Sequence, residues 1–165
     1  MSTQFNKDPY LGKVLLEWWE GLDGDRASRA ILRRASSVMA VALTSPYQRL
    51  YRRLNISDWA EHRKDRLAAV VGLLAHVKQN DENTVAKGMS LRDEGGDRPR
   101  VSELRFRRLL ESPDLDALFV GLRRVLPLMG HRVNVLALAN DIVHWGDAVK
   151  KRWAYDFEWP EKPRN

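Results

Sequence analysis

RPRVSELRFRRLLESPDLDALFVGLRRVLPLMGHR, residues 98–132, decides how the chain is read. Ser102 is a good N-cap, and Arg105, Arg107 and Arg108 follow it. At 100° per residue Phe106, Leu109 and Leu110 share one side and the three arginines fan out opposite. Ser112-Pro113 then predicts a second helix, with Ser112 as N-cap and Pro113 at the first helical position. Its apolar stripe is Leu115, Leu118, Phe119, Leu122 and Leu126; Arg124 points away from it and Arg123 flanks it. Two consecutive helices thus each bury one face and turn guanidinium groups outward, a pattern that suits a core and a polyanion together.

The same pairing of apolar stripe and arginine face recurs upstream. The net charge of the 165 residues is +6, and it is concentrated. Residues 26–53 carry seven arginines and no acid, and residues 98–132 carry eight arginines against four acids. Twenty of the 28 basic residues are Arg, the side chain that binds phosphate bidentately. An arginine-rich composition alone has a bland explanation in a GC-rich genome; the clustering is harder to dismiss. Within 26–53, Arg26, Arg29 and Arg33 share a face of a helix that Asp25 caps, with Ile31, Leu32 and Ala35 on another. The apolar SVMAVAL follows, and Ser45-Pro46 restarts a helix in which Arg49, Arg52 and Arg53 oppose Leu50, Tyr51 and Leu54. No carboxylate lies anywhere between residues 26 and 53, so these arginines need either distant acids or a polyanion, and nucleic acid is the favoured reading.

The other segments also read as helices. Tyr10 to Leu22 repeats Leu11, Val14, Leu15, Trp18, Trp19 and Leu22 at three- and four-residue spacing, which favours packing over base stacking for the paired tryptophans. Ser57 or Asp58 opens the longest helix, which reaches about Gln79 and buries Leu67, Val70, Val71, Leu74 and Val77. Asn134 caps a helix through Trp145, and after Gly146 a last one places Val149, Trp153 and Phe157 together, before Pro160 and Pro163 end the order. Residues 80–100, NDENTVAKGMSLRDEGGDRPR, are polar and weakly periodic and read as a mobile loop whose acids keep much of it off phosphates. The expected fold is all-α: a bundle of about seven to nine helices, mostly antiparallel. It forms a single domain, 1–165, which an N-terminal lobe 1–79 and a C-terminal lobe 101–159 could share across that loop.

The chain has no cysteine, so disulfides and thiolate metal sites are excluded. The N-terminal MSTQFNKDPYLG is polar, with no signal-peptide run, and nothing approaches the roughly 20 apolar residues of a membrane span, so a cytoplasmic protein is expected. His62, His76, His131 and His144 form no metal-ligand spacing; His76 and His144 lie near apolar faces, where packing is the expected role. There is no GxSxG and no Gly-rich loop in a phosphate-binding context. Asp141 and His144, three residues apart on one helix, can touch, but without a nucleophile or metal they read as local pairing or capping. No enzyme, no metal and no cofactor is expected.

ELRFRRLLES, LDALFVGLRRVLPLM, VNVLALANDIVHWG and VKKRWAYDF together resemble the C-terminal half of the CasB family, and LLEWWEGL with RASRAILRRA resembles its start. CasB is the small subunit of the type I-E CRISPR surveillance complex, Cascade. The resemblance spans nearly the whole chain, most weakly across 80–97, and rests on the order and spacing of helical patterns. It implies an all-α, non-catalytic subunit, present as two copies, that contacts the large subunit and the guide-bearing backbone subunits. It also implies basic residues that hold the backbone of the guide RNA–DNA heteroduplex and of single-stranded DNA in the R-loop. Carried over by position, these are Arg33, Arg34, Arg63, Lys64, Arg105, Arg108, Arg123, Arg124, Lys150 and Lys151. The charge pattern independently selects most of them; Arg49, Arg52 and Arg53 stand out without a family counterpart. Two other classes remain open: a helix-turn-helix regulator using 98–132, and a scaffold whose arginines pair only with acidic protein partners.

Overall fold

Short polar side chains set where most of the helices begin in the computed structural model, which describes residues 4–162. Asp8 accepts from the N–H groups of Tyr10 and Leu11 to open α1 (Pro9–Gly21). Asp25 accepts from the Ser28 N–H at 3.1 Å to open α2 (Arg26–Arg34). Ser37 and Thr44 cap the short α3 (Val38–Ala42) and α4 (Ser45–Leu54), and α4 ends on Asn55 in the left-handed region. α5 (Glu61–Leu74) is the longest helix. Strand β1 (Gln79–Asn80) and α6 (Val85–Ser90) follow, the latter capped by Thr84. Ser102 opens α7 (Glu103–Leu110), as expected, and Asp114 opens α8 (Leu115–Val125). Strand β2 (Arg132–Val133), α9 (Val135–Val143) under Asn134, and α10 (Asp147–Asp156) complete an all-α fold whose only sheet, among the described residues, is the parallel β1–β2 pair.

Three boundaries differ from the sequence reading. The cap of α8 is Asp114, whose carboxylate takes the Ala117 N–H at 2.8 Å, and Ser112 instead donates its hydroxyl to the Arg108 carbonyl. A carboxylate is the stronger acceptor and complements the positive helix N-terminus, so it prevails over the serine two residues earlier. α5 starts at Glu61 because Ile56–Trp59 closes a separate turn that buries the Trp59 ring. It ends at Leu74 because the chain then turns to pair with residues 131–133: the Lys78 N–H donates to the His131 carbonyl at 2.8 Å, and Gln79 and Asn80 register with Arg132 and Val133.

The 80–100 stretch holds more structure than its composition predicts. Val85, Ala86 and Met89 of α6 are buried, α6 packs against α10, and Arg92 bridges to Pro99. Pro163 lies outside the described residues.

Every residue from Leu67 to Leu74 is buried, because α3, α8 and α9 surround that part of α5. Gly72 sets the spacing. A Cβ there would stand 2.7 Å from Val41 and 2.9 Å from the Phe119 ring, so only glycine lets α3 and α8 approach α5 this closely. The N-terminal segment is tied to the far end of the chain, with Phe5 donating its N–H to Asn140 at 2.5 Å and α1 packing on α9. No helix among the described residues is long and apolar enough to cross a membrane.

Candidate nucleic-acid interface

α7 and α8 face each other across a groove of about 910 Å³. Their close approach depends on Gly121, where a Cβ would come within 2.8 Å of Leu109 Cδ2. Arg105 and Arg108 of α7 and Arg124 of α8 line the groove, with Leu109, Val120 and Val125 on its floor. The three arginines are exposed and form no ion pair among the described residues. Two carboxylates, Glu111 and Asp116, also line the groove, but Asp116 is engaged, accepting the Val38 N–H at 2.9 Å. Three guanidinium groups against two carboxylates, one of them already engaged, leave the concave surface net positive, an anion-binding arrangement.

A second cluster adjoins it through α8. Arg123 precedes Arg124 and extends its guanidinium to the Arg33 backbone carbonyl at 3.0 Å, crossing the Phe119 ring on the way (5.6 Å to the centroid). This brings the C-terminal turn of α2, with Arg33 and the exposed Arg34, beside the end of α8. Arg33, Arg34, Arg123, Arg124, Arg105 and Arg108 therefore lie along three neighbouring elements. His76 stands close to the same cluster: burial first, then the positive charges of Arg123, Arg33 and His131, push its imidazole down to about 4.

The remaining expected residues are placed differently. Arg63 is half-buried and its Nη1 has no hydrogen-bond partner among the described residues. Lys64 pairs with Glu61 at 3.5 Å and lies over the Tyr51 ring, whose hydrogen bond holds its ammonium above the usual lysine range. Lys150 covers the Trp145 ring at 6.0 Å, while Lys151 is exposed. The Phe106–Phe157 stack, at 4.0 Å between centroids, joins the end of α10 to α7.

Acids that the local sequence lacks reach the 26–53 block from the first 25 residues. Arg29 pairs with Asp23 at 3.2 Å and Arg53 with Glu17 at 3.1 Å. Asp25, held below the usual carboxylate range mainly by the Ser28 hydroxyl, also feels Arg49. Acids from outside the block, one of the two outcomes left open by the sequence, thus pair with two of its seven arginines. Asp141 is anchored to α10. Only 4% exposed, it binds Arg152 at 2.5 Å and the Trp153 indole N–H at 2.8 Å, and His144 Nδ1 lies 2.9 Å from the Asn140 carbonyl. Trp19 is a packing residue that donates its indole N–H to the Val77 carbonyl.

Sequence reasoning selects the arginines but not the groove, because Leu109 reads only as a core position and Val120 and Val125 lie outside the predicted stripe. The spacing of Arg105 and Arg108, one helical turn apart, was the available signal.

Comparison with known proteins bears on this arrangement. Among solved structures the fold matches a chain of E. coli Cascade, crystallised bound to a PAM-containing double-stranded DNA target. The TM-score is 0.66 at 22% identity, over 87% of this chain and 91% of that one. No curated protein sequence matches. A family model for CRISPR-associated protein Cse2, the subunit also called CasB, matches residues 28–157. That span holds α3 to α10 and nearly all of α2, so the chain belongs to the CRISPR-associated protein Cse2 family.

Proposed function

We propose that the chain is the non-catalytic small subunit of a type I-E Cascade complex, assembled with the large subunit, the backbone subunits and a second copy of itself. Its role there is to hold nucleic-acid backbone, of single-stranded DNA and of the guide RNA–DNA heteroduplex, through its arginine faces. The observation that carries this reading is the unpaired set Arg105, Arg108 and Arg124 around one groove, beside Arg33, Arg34 and Arg123. R-loop formation exchanges a DNA duplex for a heteroduplex of similar stability, so a few phosphate contacts tip the balance. Arg34, Arg123, Arg124, Arg105 and Arg108 supply such contacts without reading base edges. Arg63 and Lys151 contribute as they stand, and Lys64 and Lys150 where assembly frees them from Glu61, Tyr51 and Trp145. A helix-turn-helix regulator is disfavoured because Arg123 and Arg124 stand in the last turn of α8, whereas a recognition helix reads bases with its N-terminal residues.

The test is fluorescence-anisotropy binding of labelled DNA strands of unrelated sequence across a salt series. Similar affinity for all sequences, falling steeply with salt, is expected. Each lost single-strand phosphate contact lowers the log–log slope by about 0.7, so replacing Arg105, Arg108 and Arg124 with alanine lowers it by about 2. A sequence-specific footprint would establish the regulator instead. Absence of binding at low salt, together with an unchanged R-loop lifetime when the triple variant is assembled into Cascade, would leave a protein-only scaffold.

A further inference from the structure

Phosphate contact alone needs only a flat basic surface, and the α7–α8 groove is not flat. Its volume, about 910 Å³, falls in the range of small-molecule sites, and its floor is aliphatic: Leu109, Val120 and Val125. Arg105 and Arg108 lie one turn apart on one wall, with Cβ atoms roughly 5–6 Å apart, and Arg124 lies on the other wall. A cleft that is apolar below and cationic above matches a nucleotide whose base has left its stack. The base removes apolar and π surface from water, guanidinium planes can cover its face, and the flanking phosphates meet the same arginines. A duplex cannot use such a cleft, because its bases are already paired and stacked. An acidic protein segment would satisfy the arginines but would leave the aliphatic floor without a planar occupant.

We infer that the groove receives one unstacked base of a single-stranded nucleic acid, seated on Leu109, Val120 and Val125 with its flanking phosphates on Arg105, Arg108 and Arg124. The inference rests on the backbone-holding reading above and adds to it a preference for strands that carry free bases. The preference is tolerant of sequence, since every base offers a flat face. Glu111 at the groove leaves the site net positive even with Asp116 counted.

The experiment compares three probes of equal length, a single strand, the same strand with abasic sites, and a duplex, on wild type and on Ala117→Phe. Ala117 lines the groove and its side chain carries no charge, so a phenyl ring fills the space while all three arginines remain. Ala117→Leu serves as a smaller filling if the first variant melts early. Wild type is expected to bind the base-bearing strand about tenfold more tightly than the abasic strand. The filled variants are expected to lose that ratio while keeping abasic-strand affinity and the salt slope. Equal wild-type affinity for base-bearing and abasic strands overturns the inference and leaves the backbone reading standing. So does a ratio that survives filling. A filled variant with unchanged DNA binding that no longer assembles into Cascade also overturns it, and assigns the groove to a protein neighbour. Binding of no probe, together with an unchanged R-loop lifetime for the triple arginine variant in Cascade, would remove both readings.

Discussion

The Arg123 guanidinium donates to the backbone carbonyl of Arg33 at 3.0 Å, while its neighbour Arg124 lines the α7–α8 groove with no side-chain bond among the described residues. Adjacent arginines on one helix thus have separable roles. Arg123→Ala strips a terminal carbonyl of α2 of its donor and removes the cation over Phe119, so it is expected to lower stability by about 1–2 kcal/mol as well as to weaken DNA binding. Arg124→Ala is expected to change stability by less than about 0.5 kcal/mol while weakening binding comparably. Urea denaturation beside anisotropy separates the two; equal stability losses would mean that the link to α2 contributes nothing.

Gly72 is where packing around α5 is tightest. Alanine would gain roughly 1 kcal/mol in helix propensity, but its Cβ would collide with Val41 and Phe119, side chains that are themselves buried. Overpacking of this kind typically costs 1–3 kcal/mol, so Gly72→Ala should be net destabilising by about 1–2 kcal/mol. A thermal midpoint at or above that of wild type would show that α3 or α8 yields easily.

Much of this architecture is legible locally, and the exceptions share a cause. Asp25, Ser102 and Asn134 cap the helices expected of them, because a cap needs only the three residues that follow it. The end of α5 is not legible locally: apolar periodicity runs on through Val77, whereas the chain leaves the helix at Leu74 to pair with residues more than fifty positions away. α6 escaped notice because six residues containing Gly88 give too short a period to detect. The arginine count anticipated Arg105, Arg108 and Arg124 as a group, yet it could not tell them from Arg29 and Arg53, whose acids lie on elements earlier in the chain.

Asp141, which the sequence reads as a local-pairing or capping residue, is a buried structural carboxylate. Asp141→Ala leaves the buried Trp153 indole N–H without an acceptor and frees Arg152, a loss of about 2–3 kcal/mol. Asp141→Asn keeps an acceptor oxygen and should cost about half as much. Chemical denaturation of the two variants checks this, and equal losses would place the weight on the ion pair with Arg152 rather than on the indole.

His76 makes stability depend on pH. Its folded-state value of about 4 lies below the ordinary 6.5, so between these values the unfolded chain binds the proton and the folded chain does not. Stability is therefore full above pH 6.5 and falls as the pH drops toward 4. For this partly exposed ring the loss between pH 6.5 and 5 is about 1 kcal/mol, after allowing for solvent screening. His76→Asn cannot titrate and should flatten that part of the stability curve. An unchanged slope would mean that the imidazole is solvated well enough to protonate in place.

The last contrast is between arginines that have found an acid and those that have not. Arg53 and Glu17 are both about half exposed and lie 3.1 Å apart, a pair worth well under 1 kcal/mol to stability. Its effect on binding is larger than its effect on folding, because a carboxylate at that distance cancels most of the field that a phosphate would feel. Arg53→Ala should therefore leave strand affinity within about twofold and the salt slope unchanged, whereas Arg105→Ala should lower the slope by about 0.7. Glu17→Ala supplies the converse: with its partner gone, Arg53 becomes available, and any approach of the strand to α1 and α4 should then strengthen binding. If Arg53→Ala instead weakens binding as much as Arg105→Ala does, the phosphate track extends from the groove onto α4, and Arg49 and Arg52 belong to it.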